Sequence, residues 1–219
     1  MMDAVVFDLD GVLIDSEPVW ERVRRAYVAE RAGRWLPDSQ RRLMGMSTPE
    51  WARYLSDDLD VDVGPEQVAK DVIQRMADSF EHDLPVIPGA IDAVRRMGTR
   101  WLLGLASSSA RLLIDRVIAA AGLTSQFAVT LSTEEVDRGK PAPDVYLAVA
   151  QRIGVPATRC VAVEDSSNGV RAARAAGAVV VAVPHHRYPL EPDARAQAAV
   201  VLDSISELTV EHLAALDLG

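Results

Sequence analysis

The sequence is poor in cysteine: Cys160 is the one cysteine among 219 residues. No disulfide can form within the chain, which is typical of proteins that work in a reducing compartment. Cys160 begins the apolar run Cys160-Val161-Ala162-Val163. We therefore expect it to be a buried strand residue and not a nucleophile.

The chain also lacks any apolar run that approaches the roughly 20 residues a helix needs to cross a bilayer. The first residues, Met1-Met2-Asp3-Ala4-Val5, place no basic segment ahead of their apolar run, so we expect no signal peptide. These two absences predict a soluble, cytoplasmic protein without a membrane partner. We further expect a monomer or a weak dimer.

Positive charge is scarcer than negative charge, and the formal net charge at pH 7 is -9. An acidic protein gains nothing from the attraction that draws basic proteins to nucleic acid, so we expect no nucleic-acid partner. An anionic ligand would need positive charge concentrated locally, by a metal ion or by a well-placed lysine.

Short, valine-rich apolar runs recur along the chain and mostly do not alternate with polar residues. This pattern predicts strands of a parallel sheet that is covered on both faces. The runs are Ala4 to Phe7, Trp101 to Ala106, Phe127 to Val129, Cys160 to Val163 and Ala178 to Val183. Helical patterns separate the runs from residue 90 onward, at Arg111 to Ala121, Asp144 to Ile153 and Asn168 to Ala176. The alternation predicts an α/β fold with a doubly wound, Rossmann-like parallel sheet.

The stretch from about residue 15 to residue 88 differs, because it holds no convincing strand run. Its helical patterns lie at Val19 to Ala32, Pro49 to Leu59 and Pro65 to Phe80. The first strand is therefore followed by a helical insert before the α/β pattern resumes. We expect an α/β core formed by residues 1–15 and 88–219, with an inserted α-helical cap domain at residues 16–87.

The strongest functional signal is Phe7-Asp8-Leu9-Asp10-Gly11. Side chains i and i+2 of a strand share a face, so this strand would deliver Asp8 and Asp10 together at its carboxyl end. Ligands of open α/β sheets bind at that edge. Neighbouring carboxylates repel unless they share a cation or a proton. Alternatively, Asp8 and Asp10 could be solvated acids of a loop, or one of them could cap a helix.

A second acidic pair, Glu164 and Asp165, follows the later strand and precedes Ser166-Ser167-Asn168-Gly169. Helix capping by Asp165 or Ser166 would account for one of these residues, but not for two acids at the same sheet edge. Together the two pairs would form an oxygen-rich site that suits Mg²⁺.

Two weaker signals lie between the acidic pairs. Ser107, Ser108 and Ser109 close the Trp101 strand, and hydroxyl and backbone N–H donors at such a turn can hold phosphate oxygens. Alternatively, a serine caps the next helix. Both interpretations could hold, with Ser109 capping the helix and Ser107 binding phosphate. Lys140 stands between Gly139 and Pro141 just before a helix, where it could neutralise an anion; a solvated surface lysine is the alternative.

The order of these four motifs resembles the haloacid dehalogenase superfamily. The run Asp-Leu-Asp-Gly-Val-Leu-Ile-Asp-Ser-Glu at residues 8–17 is especially similar to its helical-cap phosphatase and β-phosphoglucomutase branch. The resemblance extends over nearly the whole chain: nucleophile strand, cap, serine turn, lysine loop and acidic pair.

The resemblance implies a role for each matching residue. Asp8 would attack phosphorus to form an aspartyl-phosphate, and Asp10 would act as general acid and then as general base. Mg²⁺ would be held by the Asp8 carboxylate, the Asp10 backbone carbonyl and Asp165, with Glu164 ligating it directly or through water. The oxygens of the transferred group would be bound by Ser107, the Ser108 backbone and Lys140.

The resemblance predicts a Mg²⁺-dependent phosphatase that acts on a small phosphorylated metabolite such as a sugar phosphate. The aspartate at position 10 favours phosphoryl chemistry over dehalogenation, since dehalogenating members lack it. A sugar phosphomutase is the alternative, although Trp20 replaces the usual mutase histidine and Thr48-Pro49 follow Ser47 where the mutase pattern has an arginine. A non-catalytic binding protein is a further alternative.

Substrate choice is expected to depend on the cap. The candidate residues in the cap are Trp20, Arg24, Met44, Met46, Trp51 and Lys70. Each of them could equally pack in the interior of the cap or lie on its surface. His185 and His186 follow the last strong strand, where we expect a surface loop and not a metal site.

Overall fold

A computed structural model of the protein describes residues 2–43 and 46–216. Within them, six parallel strands form one sheet in the order β3-β2-β1-β4-β5-β6. The strands are β1 (Ala4–Phe7), β2 (Leu102–Ser107), β3 (Val129–Ser132), β4 (Cys160–Glu164), β5 (Val179–Ala182) and β6 (Val200–Val201). The strand order reverses beside β1, which pairs with β2 on one side and β4 on the other. Such a reversal leaves a crevice at the carboxyl ends of the central strands.

Spatial proximity divides the chain into two compact units, one of residues 1–15 and 85–219 and one of residues 16–84. The expected division lay at 15/16 and 87/88, and the observed one lies at 15/16 and 84/85. The first unit contains the whole sheet. Its helices are α5 (Ala90–Gly98), α6 (Arg111–Ala120), α7 (Asp144–Ile153), α8 (Ser167–Ala175), α9 (Pro192–Arg195) and α10 (Val210–Ala214).

The second unit contains helices and no strand within its described residues. Its helices are α1 (Glu17–Glu30), α2 (Ser39–Leu43), α3 (Thr48–Arg53) and α4 (Pro65–His82), and α3 continues into a π-helical turn at Tyr54–Asp58. Proline at the first or second position of α1, α3 and α4 is compatible with each helix start, where no intrahelical N–H bond is lost. The predicted α/β fold with an inserted helical domain is therefore confirmed.

The predictions failed at both edges of the sheet: one strand was placed wrongly and one was not predicted. The third strand is Val129–Ser132, and not the apolar run Phe127 to Val129. Phe127 lies before the strand and packs edge-on against Phe7, with ring centroids 6.3 Å apart. The two-residue strand β6 was not predicted at all. Edge strands are only partly covered, so they need not be apolar throughout.

A buried apolar cluster packs α7 and α8 against the sheet. Gly104 in β2 permits this packing: a Cβ atom there would lie 2.5 Å from Cγ1 of Val149 in α7. Cys160 is 2% exposed at the start of β4, as predicted. No helix in the described part of the chain is long and apolar enough to cross a membrane.

Candidate active site

The candidate site lies at the carboxyl ends of β1 and β4, which are paired in parallel. Phe7 is opposite Val163, and the Asp8 N–H donates to the Val163 carbonyl at 2.9 Å. Asp8 and Glu164 therefore occupy equivalent positions one residue further along each strand. Both are buried, at 6% and 0% exposure respectively. The two acids of the separate sequence motifs thus meet at the sheet edge where ligands bind.

Asp165 completes a group of three carboxylates with Asp8 and Glu164. One oxygen of each lies within 4.8 Å of the others, and this is the one group of potential metal-liganding side chains found in residues 2–43 and 46–216. The Asp10 carboxylate is not part of it. Oxygen-only donor sets of this kind suit hard divalent cations such as Mg²⁺ or Ca²⁺. The residues present therefore fit a divalent cation.

Two glycines make room for these carboxylates. Gly11 has φ of +77°, and a Cβ atom there would lie 1.9 Å from Oδ2 of Asp165. A Cβ atom on Gly169 in α8 would lie 2.0 Å from the carboxylate of Glu164. The glycine that follows each acidic pair in the sequence is thus required by the close approach of an acid.

Lys140 supplies positive charge within the site. Its Nζ donates to Oδ1 of Asp8 at 2.9 Å, to the Ala106 carbonyl at 3.0 Å and to Oε1 of Glu164 at 2.6 Å. Its side chain is 5% exposed. An ammonium group has three N–H donors, so the chain's own oxygens occupy all of them. Lys140 is therefore a buried, fixed charge and not a solvated surface lysine.

Glu164 accepts hydrogen bonds at both oxygens. Oε1 accepts from Lys140 and from the Tyr146 hydroxyl at 2.5 Å, and Oε2 accepts from the Ser166 hydroxyl at 3.2 Å. Tyr146 was missed by sequence reasoning, because an aromatic residue on an amphipathic helix is normally part of the core. The same Ser166 hydroxyl accepts from the Gly169 N–H and caps α8, so the capping alternative for Ser166 is also correct.

The Asp10 carboxylate faces the serine turn. Oδ2 accepts from the Ser109 hydroxyl at 2.7 Å and from the Ser107 hydroxyl at 3.4 Å. The alternative that Ser109 caps the next helix is wrong: Ala110 is the N-cap of α6, without a side-chain cap, and the Ser109 hydroxyl donates to Asp10. Ser107 is fully buried and also accepts from the Ser109 N–H at 3.0 Å, whereas Ser108 is exposed.

Burial governs the electrostatics of the site. It raises the pKa of Asp8 to about 7; Lys140 acts in the opposite direction, and Glu164 and Asp10 add to the rise. Burial, with the charges of Asp8 and Glu164, also raises the pKa of Asp165 well above its usual range. Burial lowers the pKa of Lys140, but Asp8 and Glu164 outweigh it and the net shift is upward. One lysine does not balance the acids, so the site favours an additional cation.

Three of the predicted specificity residues, Trp20, Arg24 and Trp51, cluster within the helical unit. The Arg24 guanidinium lies 4.3 Å from the ring centroid of Trp20 and 5.0 Å from that of Trp51. Lys70 is exposed and Met46 is half-buried, while Met44 lies outside the described residues. The part of these residues in substrate choice stays a prediction.

The two histidines lie in the loop after β5, as expected. His185 stacks on Tyr188 with ring centroids 5.2 Å apart, and its Nε2 lies 3.6 Å from Oδ1 of Asp15. His186 is exposed. Neither belongs to the three-carboxylate group.

Comparison with known proteins agrees with this geometry. Residues 2–177 match the family model of haloacid dehalogenase-like hydrolases. The chain is 34% identical over 218 residues to hexitol phosphatase B of Escherichia coli (strain K12), covering 96% of each chain. It is 35% identical over 179 residues to a phosphorylated carbohydrates phosphatase of Thermotoga maritima, covering 80% of this chain and 82% of that one. The protein belongs to the haloacid dehalogenase-like hydrolases, as its motifs predicted.

A solved structure supports the same assignment. The structure of CbbY from Rhodobacter sphaeroides in complex with phosphate is 26% identical in sequence and has a TM-score of 0.87. The similarity covers 98% of this chain and 100% of that chain.

Proposed function

We propose that this protein is a Mg²⁺-dependent phosphatase that hydrolyses a small phosphorylated metabolite, a sugar phosphate or a related polyol phosphate, in the cytoplasm. The observation that carries the proposal is the meeting of Asp8, Glu164 and Asp165 around a space suited to a cation, with Lys140 in contact with Asp8. The substrate class is taken from the relatives named as hexitol and carbohydrate phosphatases.

Asp8 is the proposed nucleophile. Attack of its carboxylate on phosphorus breaks the bond to the leaving oxygen and forms an aspartyl-phosphate, which divides one difficult displacement into two easier ones. Asp8 is held at its backbone by the hydrogen bond to Val163 of β4 and at Oδ1 by Lys140. Its position is therefore fixed before substrate binds, as phosphoryl transfer requires.

Asp10 is the proposed general acid and base. It would protonate the leaving alcohol oxygen and later accept a proton from the water that attacks the aspartyl-phosphate. The hydroxyls of Ser109 and Ser107 hold one oxygen of its carboxylate. Ser107 and the Ser108 backbone are the proposed donors to the phosphoryl oxygens, and Lys140 is proposed to bind these oxygens through its charge.

Asp8, Asp165 and the Asp10 backbone carbonyl are proposed to hold Mg²⁺. When bound, the ion would reduce the repulsion between the carboxylates and a phosphoryl group and orient the transferring oxygens. Among the described residues, Lys140 is the cation in contact with both Asp8 and Glu164, and it leaves most of this negative charge uncompensated.

A panel of sugar and polyol phosphates tests the proposal by measuring released inorganic phosphate. We expect release with Mg²⁺ present, loss of release with EDTA and recovery when excess Mg²⁺ is added. Turnover that is insensitive to EDTA would contradict the metal assignment. Conversion of a hexose 1-phosphate to the 6-phosphate without net phosphate release would instead favour a phosphomutase, and binding without turnover on any ester would favour a non-catalytic protein.

A further inference from the structure

The hydroxyl of Tyr146, which contacts the same Glu164 oxygen as Lys140, has no assigned role in the proposed reaction. Tyr146 is 2% exposed, and its hydroxyl donates to the same Oε1 of Glu164 that accepts from Lys140. Glu164 is fully buried, so its carboxylate depends on hydrogen bonds within the chain. Removing one of its donors would leave a buried charged group less well satisfied.

We propose that Tyr146 is a positioning residue: its hydroxyl fixes the Glu164 carboxylate, which in turn holds the Lys140 ammonium against Asp8. The inference rests on the proposed function, because it assigns Lys140 to the phosphoryl chemistry. Lys140 and Tyr146 come from the same short segment of chain, six residues apart, and both contact Oε1 of Glu164. The segment therefore holds this oxygen with two donors.

The arrangement restricts Lys140 more tightly than a surface ion pair would. Its three donors point to the Ala106 carbonyl, Asp8 and Glu164, and two of these acceptors are themselves fixed. Ala106 lies in β2, and Glu164 is held from the other side by Ser166. A pre-organised cation of this kind stabilises developing charge without having to reorient during the reaction.

The simpler explanation is that a buried tyrosine hydroxyl needs any partner. Tyr54, 3% exposed, offers a matched case: its hydroxyl lies 3.1 Å from the Ser39 hydroxyl in the helical unit. Tyr146→Phe and Tyr54→Phe each remove one buried hydroxyl and keep the ring. A purely structural role predicts similar consequences for both variants.

The chain contains just two lysines, Lys70 and Lys140, which provides a readout independent of turnover. Lys70 is exposed and serves as an internal reference. Brief acetylation with acetic anhydride, quantified by peptide mass spectrometry, should modify Lys140 far more slowly than Lys70 in the wild type. In Tyr146→Phe we expect the ratio of Lys140 to Lys70 labelling to rise by about tenfold, and in Tyr54→Phe to stay unchanged.

Steady-state kinetics on p-nitrophenyl phosphate give the second readout. For Tyr146→Phe we expect kcat to fall by about tenfold with KM within about twofold of wild type, because transition-state charge is affected more than ground-state binding. Tyr54→Phe should keep both constants. If Tyr146→Phe does not fold, the same labelling and kinetic measurements are made on Ser166→Gly. That variant removes the hydrogen bond to the other Glu164 oxygen and keeps an acceptable N-cap residue.

The outcomes separate this inference from the proposed function. Unchanged Lys140 labelling overturns the positioning role, whatever the kinetics show, and an equal response of Tyr54→Phe does the same. Raised labelling together with lowered kcat supports it. A wild type that hydrolyses no phosphate ester defeats the proposed function, while the labelling ratio still decides whether Tyr146 holds Lys140 in place.

Discussion

The ends of β1 and β4 carry similar sequences, an apolar strand followed by two acids and a nearby glycine, yet the chain surrounds their carboxylates differently. At β1, Asp8 contacts Lys140, and Asp10 accepts from serine hydroxyls. At β4, Glu164 is enclosed by donors from Lys140, Tyr146 and Ser166, while Asp165 is half-buried and packs on Gly11. The neighbouring donors, and not the acidic motif itself, therefore distinguish an anchored acid, Glu164, from the proposed reactive acid, Asp8.

The largest expected effect comes from Asp8, the proposed reactive acid at the end of β1. Asp8→Asn removes the proposed nucleophile and keeps the side-chain shape, so kcat should fall by roughly 10⁴-fold while the far-ultraviolet circular dichroism spectrum is retained. The matched control is Asp203→Asn, which changes an exposed aspartate of the same unit and should keep full activity. Near-normal turnover by Asp8→Asn would remove the basis for treating β1 as the reactive strand.

Gly169→Ala should displace Glu164, the anchored acid of β4, by steric contact. Alanine normally stabilises a helix interior relative to glycine by about 1 kcal/mol, but here its Cβ would lie 2.0 Å from the Glu164 carboxylate. We expect the free energy of unfolding to fall by about 2 kcal/mol in urea titrations. Gly64→Ala, where a Cβ would contact nothing within 4 Å, should change it by less than about 1 kcal/mol. Equal stability of the two variants would show that Glu164 is not rigidly held.

The other acid of β4 is tested through Gly11→Ala. The new Cβ would lie 1.9 Å from Oδ2 of Asp165 at a backbone φ of +77°, so Asp165 has to move. If Asp165 holds the metal, the Mg²⁺ concentration that gives half-maximal activity should rise by at least about tenfold. The same titration on Gly64→Ala provides the control, and an unchanged Mg²⁺ requirement in Gly11→Ala would argue against Asp165 as a ligand.

The smallest expected effect concerns the serine turn beside β1. Ser109→Ala removes the 2.7 Å hydrogen bond to Asp10, and we expect kcat to fall by about fivefold at unchanged KM because the proposed proton donor is less well oriented. Ser108→Ala changes the neighbouring exposed side chain and should leave kcat within about twofold. A larger loss in Ser108→Ala than in Ser109→Ala would reverse the assignment of the two serines.

The central part of the fold was predictable because β1, β2, β4 and β5 are buried on both faces and therefore read as apolar runs. The edge strands were not: β3 includes the polar residues Thr130 and Ser132, and β6 is too short to show a pattern. The carboxylates of the site were found for a related reason, since charged residues at the end of a buried strand stand out. Tyr146 was missed, and the contact of Ser109 with Asp10 was not foreseen, because these contacts depend on tertiary packing and the local sequence suggests a core residue and a helix cap.

The burial of Cys160 has a practical consequence. Burial raises the pKa of its thiol to about 11, and the side chain lies within β4 with 2% exposure. Maleimide reagents at neutral pH should therefore leave it unmodified. A fluorophore or spin label could be attached to a cysteine introduced at exposed Leu147, 45% exposed on α7, without first removing the native cysteine. The natural sequence can thus serve directly as the background for spectroscopic reporters.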